Sequence, residues 1–132
     1  MAYLKIVSDT CTPDWITSKV GVEPDVAVAK GEIPPGSASR RPLRWNRWEL
    51  RETGGGSSNI DDLVSALYSR LTLVSDGLKS LPKDKCEMEL VIVGYYSPGD
   101  ETSHGFHLDL EFVKLLAIIG ADIDVDQYLI YN

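Results

Sequence analysis

A chain of 132 residues with 43% hydrophobic content has room for a single core, and too much apolar content to stay disordered. Its formal charge of −7 repels nucleic acid at long range, which sets general DNA or RNA binding aside. No apolar run approaches the ~20 residues needed to cross a membrane, and the start, Met-Ala-Tyr-Leu-Lys-Ile-Val, lacks the basic and apolar regions of a signal peptide. The expectation is a cytoplasmic protein whose two cysteines, Cys11 and Cys86, lie outside any metal-ligand spacing and read as free thiols, with a bridge between them as the alternative.

Tyr3–Ser8 reads as a first strand with Leu4 and Ile6 on one face. Thr12-Pro13-Asp14 starts a helix: threonine caps, proline suits the first helical position, and aspartate meets the positive end of the dipole. Trp15, Ile16 and Val20 give that helix an apolar face, and Gly21 ends it as a left-handed cap. A short strand follows over Asp25–Lys30, then a proline-rich loop from Gly31 to Pro42 and a strand over Leu43–Arg51. Thr53–Ser58 is a glycine-rich turn. Asn59 caps a long amphipathic helix predicted over Ile60–Ser80, with Ile60, Leu63, Val64, Leu67, Leu71, Val74 and Leu78 at helical spacing. Met88–Tyr96 is apolar on both parities and so predicts a strand covered on both faces, central in its sheet. A short strand is expected at Phe106–Leu108. Asp109 caps a last helix carrying Phe112, Leu115, Leu116 and Ile119, Gly120 ends it, and Ile123–Tyr131 closes the chain as a strand.

The order β-α-β-β-α-β-(β)-α-β predicts an α+β fold: one domain over residues 1–132, with a mostly antiparallel sheet and helices packed on one side. Both Val20-Gly21-Val22-Glu23-Pro24-Asp25 and Ile119-Gly120-Ala121-Asp122-Ile123-Asp124 leave a helix through glycine into an acidic turn, which hints at an internal duplication.

Charge is unevenly spread. From residue 86 onward there are nine acids (Glu87, Glu89, Asp100, Glu101, Asp109, Glu111, Asp122, Asp124, Asp126) against Lys114 alone, whereas Arg40, Arg41, Arg44, Arg47 and Arg51 crowd into one stretch. Guanidinium groups bind phosphate or carboxylate, and Trp45 and Trp48 offer faces for stacking, so with Lys30 this stretch is a candidate anion or nucleotide site. The ordinary alternative is a charged edge strand with one tryptophan in the core. Gly54-Gly55-Gly56 lacks the lysine and spacing of a phosphate-binding loop. His104 and His107, with carboxylates nearby, are a weak candidate metal pair, since positions three apart on a strand face opposite ways. Asp122, Asp124 and Asp126 alternate with Ile123 and Val125 and share one strand face. They lack the glycine and distal glutamate of a calcium loop, so they read as a solvated face or a surface for a basic partner.

The ordered set Thr12-Pro13-Asp14 with Ile16-Thr17, Gly21-Val22-Glu23-Pro24-Asp25, Lys30-Gly31, Trp48-Glu49-Leu50, and Gly120-Ala121-Asp122-Ile123-Asp124-Val125-Asp126 with Tyr128 resembles a family of small bacterial proteins known as domain of unknown function 4279. The resemblance covers nearly the whole chain. It implies a compact α+β domain and carries neither an activity nor catalytic residues.

No serine, cysteine or histidine has the flanks of a nucleophile motif. The leading expectation is a non-enzymatic, cofactor-free binding module that meets a basic protein partner through its acidic C-terminal half, in the manner of an immunity protein. The alternative is a small-molecule binder using the arginine–tryptophan stretch, with a metal-assisted enzyme third. A homodimer built through an edge strand is the other assembly the sequence leaves open.

Overall fold

The structure is a computed structural model that describes residues 1–54, 59–99 and 105–130. Five strands, β1 (Ala2–Ser8), β2 (Val26–Val28), β3 (Asn46–Glu52), β4 (Glu87–Tyr96) and β5 (Ala121–Leu129), form one sheet in the order β2-β3-β1-β4-β5. Every neighbouring pair is antiparallel except β4 and β5, which run parallel. The helices are α1 (Pro13–Val20), α2 (Ile60–Leu73), α3 (Ser75–Lys79) and α4 (Leu110–Ile119). This is the expected α+β architecture with a mostly antiparallel sheet. No helix among the described residues is long and apolar enough to cross a membrane.

β1 lies in the middle, and its period of two divides the molecule. Ala2, Leu4 and Ile6 face the helices. Leu4 sits between Leu50 and Leu90, and Ile6 between Trp48 and Met88. Onto this layer pack Ile16 and Val20 of α1, Val64, Leu67 and Leu71 of α2, Leu78 of α3, and Phe112, Leu115, Leu116 and Ile119 of α4. Each such side chain contributes about 1.5–3 kcal/mol on burial, which is what holds the helices to the sheet. Tyr3, Lys5 and Val7 point the other way, and the second apolar cluster there, Tyr3, Val91 and Val93, contains no helical residue. The helices therefore cover one face only.

The caps form as the sequence indicates. Thr12, Asn59 and Asp109 side chains accept from the amides of Trp15, Asp62 and Phe112, and Gly21 and Gly120 take the left-handed conformation that ends α1 and α4. β4 is interior and buried on both faces, though β1, not β4, is the middle strand. Phe106–Leu108 is not a strand. The internal duplication is not confirmed: β1 and β2 are parallel with β3 between them, whereas β4 and β5 are adjacent.

The predicted single helix over 60–80 is two. Val74, at φ −119° and ψ 17°, breaks it, and its amide bonds to Leu71 O in a tightened turn. The apolar positions stay in phase across the break, so periodicity does not reveal it. The cause is tertiary. α3 runs so close to α1 that a Cβ on Gly77 would lie 2.5 Å from Val20 O and 2.7 Å from Lys19 O, both backbone atoms.

Gly77→Ala sets a helix-propensity gain of about 1 kcal/mol against an overpacking cost of about 1–3 kcal/mol. Because the clash is with backbone, the cost dominates. Urea unfolding is expected to show a lowered midpoint with an unchanged slope.

Candidate functional site

The helix-free face of the sheet collects most of the chemistry. Registration across the strands aligns Val28, Arg47, Val7 and Glu87 in one row. The next holds Val26, Glu49, Lys5, Glu89 and Asp122, and a third holds Arg51, Tyr3, Val91 and Asp124. Beyond them Val93 lies beside Asp126, and the rings of Tyr95 and Tyr128 stack with centroids 5.5 Å apart. Charge thus runs from arginines on β3 to carboxylates on β5. Lys5 sits between, 3.3 Å from Glu89.

At the basic end Glu49 is wholly buried, held by Nε of Arg47 and by Nε of Arg51 at 2.8 Å. Arg51 also lies over the Tyr3 ring, 5.1 Å from its centroid. Burial and then the Glu49 charge push the Tyr3 phenol above its ordinary value, against the two arginines. Nearby, burial would raise the Asp25 carboxyl, but the Arg51 amide and the Arg70 guanidinium outweigh it and hold the group below the ordinary carboxylate range.

Pro34 and Pro35 join Asp25, Val26, Val28, Arg47, Glu49 and Arg51 in lining a cleft of about 410 Å³ at this end. Its two arginines meet two carboxylates, so it carries no positive excess. The rest of the basic stretch lies elsewhere. Trp48 points to the opposite face, fully buried in the core, with Nε1 donating to Thr17 Oγ1 at 3.0 Å. Trp45 is half exposed, and Arg40, Arg41 and Arg44 are exposed. Lys30 pairs with Asp9, and its amide donates to Asn46 Oδ1. The stretch therefore does not converge on one concavity.

His107 stands at a groove between α2 and α4, its amide donating to Asp61 Oδ1 at 2.8 Å. His104 lies outside the described residues, so the pair is not seen together. Among the described residues no group of three or more His, Cys, Asp and Glu is placed to hold a metal ion. Asp122, Asp124 and Asp126 do share the open face, on the outermost strand.

Two groupings escape a reading by motif. Glu49 shares parity with Arg47 and Arg51, so a carboxylate between two arginines at strand spacing was the available signal. The other is a thiol pair. Ser8 Oγ accepts from the Cys11 amide at 2.9 Å, and Cys86 is buried in the core cluster against which Cys11 packs. Burial and then the contact with Cys11 raise the Cys86 thiol to about 11. No spacing announces a contact between residues so far apart in the chain.

Glu49→Gln leaves two arginines facing a neutral amide. Since both are partly exposed and can rehydrate, the cost is on the order of 2 kcal/mol, below the full penalty of a fully buried pair; chemical denaturation measures it. For the thiols, iodoacetamide at pH 8 is expected to alkylate half-exposed Cys11 and spare Cys86 until denaturant is added, as read by intact mass. Because the Cys86 thiol is raised on folding, its contribution to stability is complete below the ordinary thiol range and is lost as pH climbs through about 11.

No curated protein and no solved structure matches the chain. The family described as Domain of unknown function (DUF4279) matches residues 1–130. With the ordered cap and glycine motifs all in place on the fold, the chain belongs to the DUF4279 family.

Proposed function

We propose that the protein is a non-enzymatic interaction module of the bacterial cytoplasm that engages a basic partner protein through the acidic end of its open sheet face. The observation that carries this reading is the alignment of Asp122, Asp124 and Asp126 beside Glu89 and Glu87 on a face with no helix over it among the described residues. Lys5 is paired to Glu89, and Arg47 and Arg51 to Glu49, and the β4 residues directly beside the three aspartates are Glu89, Val91 and Val93, none of them basic. Such a field attracts a cationic surface and speeds its encounter, more at low salt than at high. An anion-binding role for the cleft under Pro34 and Pro35 fares less well, because its arginines are already neutralised.

Native mass spectrometry of the protein taken from its own host at low salt is the test. A second, basic polypeptide at fixed stoichiometry is expected. The triple change Asp122→Asn, Asp124→Asn and Asp126→Asn should leave the melting temperature nearly unchanged, as these side chains are largely solvated, and should abolish the retained partner. Recovery of only bare protein, or a partner held equally well by the triple variant, contradicts the reading.

A further inference from the structure

We infer that β5 is a strand-addition site whose occupant is an extended segment alternating basic and apolar residues. This rests on the preceding reading that the acidic face meets a basic protein, and it specifies how.

β5 is the outermost strand, paired only with β4 among the described residues. Its register with β4 runs unbroken from Ala121 to Leu129, with no bulge. The Ile130 amide donates to Tyr96 O, toward β4. In a strand, the N–H and C=O of one residue point the same way and those of the next residue the opposite way. By that alternation Ile123, Val125 and Gln127 direct their main-chain groups outward, at the free edge. Edges of this kind are ordinarily guarded by proline, lysine, a bulge or short length. The opposite edge, β2, is three residues long and has Pro34 and Pro35 lining the cleft beside it. β5 spans nine residues with no proline, lysine or bulge; its guard is the negative charge of Asp122, Asp124 and Asp126, which repels a like-charged strand and not a basic one.

The two sides of β5 then specify the guest. Asp122, Asp124 and Asp126 line one side. On the other, Ile123 and Val125 are 46% and 41% exposed, although they face the helix layer. A strand laid alongside, with Lys or Arg on one parity and Val, Ile or Leu on the other, satisfies the outward main-chain groups, the carboxylates and the apolar row together. A second copy of this chain fits worse. Antiparallel self-pairing centred on residues 122–126 sets carboxylate against carboxylate.

The test uses the full chain and two synthetic peptides of identical composition, one alternating lysine with valine, the other with its lysines and valines in separate blocks. Fluorescence anisotropy at low salt is expected to show the alternating peptide binding at least tenfold tighter. Amide hydrogen exchange should slow at Ile123, Val125 and Gln127 when it binds. Val125→Pro removes one outward N–H without touching a charge, and is expected to cost at least tenfold in affinity for that peptide. Val125→Lys keeps the N–H, puts a guarding charge on the apolar side, and should lose binding as well even if the proline variant folds poorly. Equal binding of both peptides, with Val125→Lys matching the unaltered chain, overturns strand addition while leaving a basic partner on the acidic face intact. Binding of neither peptide also overturns it, and the host pull-down with the triple aspartate variant then decides the broader reading separately. Concentration-dependent dimers abolished by Val125→Lys overturn it in favour of a second copy.

Discussion

Among the described residues the four helices lie on one face of a five-stranded sheet, and the other face has to be made compatible with water without a helical layer. That constraint accounts for much of the rest. A strand in the middle of such a sheet must alternate, and β1 does: Leu4 and Ile6 enter the core while Tyr3, Lys5 and Val7 face outward. The outward row cannot be wholly charged, because Val91 and Val93 already sit there on a strand apolar on both parities. Towards β3 it is closed by long side chains, with Arg51 over Tyr3 and Arg47 and Arg51 folded onto Glu49. A carboxylate ends up buried on the open face because its two cations bring their hydrocarbon stems with them.

The same constraint separates two kinds of charge that look alike in the sequence. Arginines and carboxylates at the β3 end neutralise one another in pairs, fixing Asp25 and Glu49 and tying α2 to the sheet through Arg70, which donates to Arg51 O, Glu52 and Asp25. Burial works against Arg70 keeping its charge, yet its carboxylate partners prevail and hold the guanidinium above its ordinary value. These are structural charges. Carboxylates at the β5 end lie on the last strand, one neighbour too far for Lys5 to reach across. Net charge is a property of composition, but which part of it stays available to a partner is decided by strand order.

What the sequence discloses follows from the range of the interaction involved. Caps and glycine terminators are local, so Thr12, Asn59, Asp109, Gly21 and Gly120 are legible from a few neighbours each, and so is the period of two that puts Asp122, Asp124 and Asp126 on one side. Strand order is not local, and the apolar run of β4 says only that both faces are covered, which holds for any interior strand. The break at Val74 fails for the same reason, since it depends on α3 meeting α1 at Gly77 while the apolar spacing carries on in phase. Trp45 and Trp48 differ by three positions and so by parity. Trp48 shares its parity with Leu50, which points it into the core, whereas Trp45 precedes β3 and is half exposed. Cys11 and Cys86 meet because β1 and β4 are neighbours, a fact contained in neither residue's surroundings.

The direction of β5 gives its open edge a particular consequence. A parallel neighbour requires a crossover connection rather than a hairpin, and α4 provides it, packed on the core through Phe112, Leu115, Leu116 and Ile119. Those four side chains are buried in the core, while Ile123 and Val125 on the helix side of β5 stay partly exposed. An antiparallel hairpin strand would need no such helix and could be trimmed short, as β2 is. Here the crossover commits the chain to a full-length last strand, apolar on one side and acidic on the other. The acidic side does what lysine or proline does at other edges: it discourages pairing with a second copy of the same strand, while leaving the edge open to a strand of opposite charge.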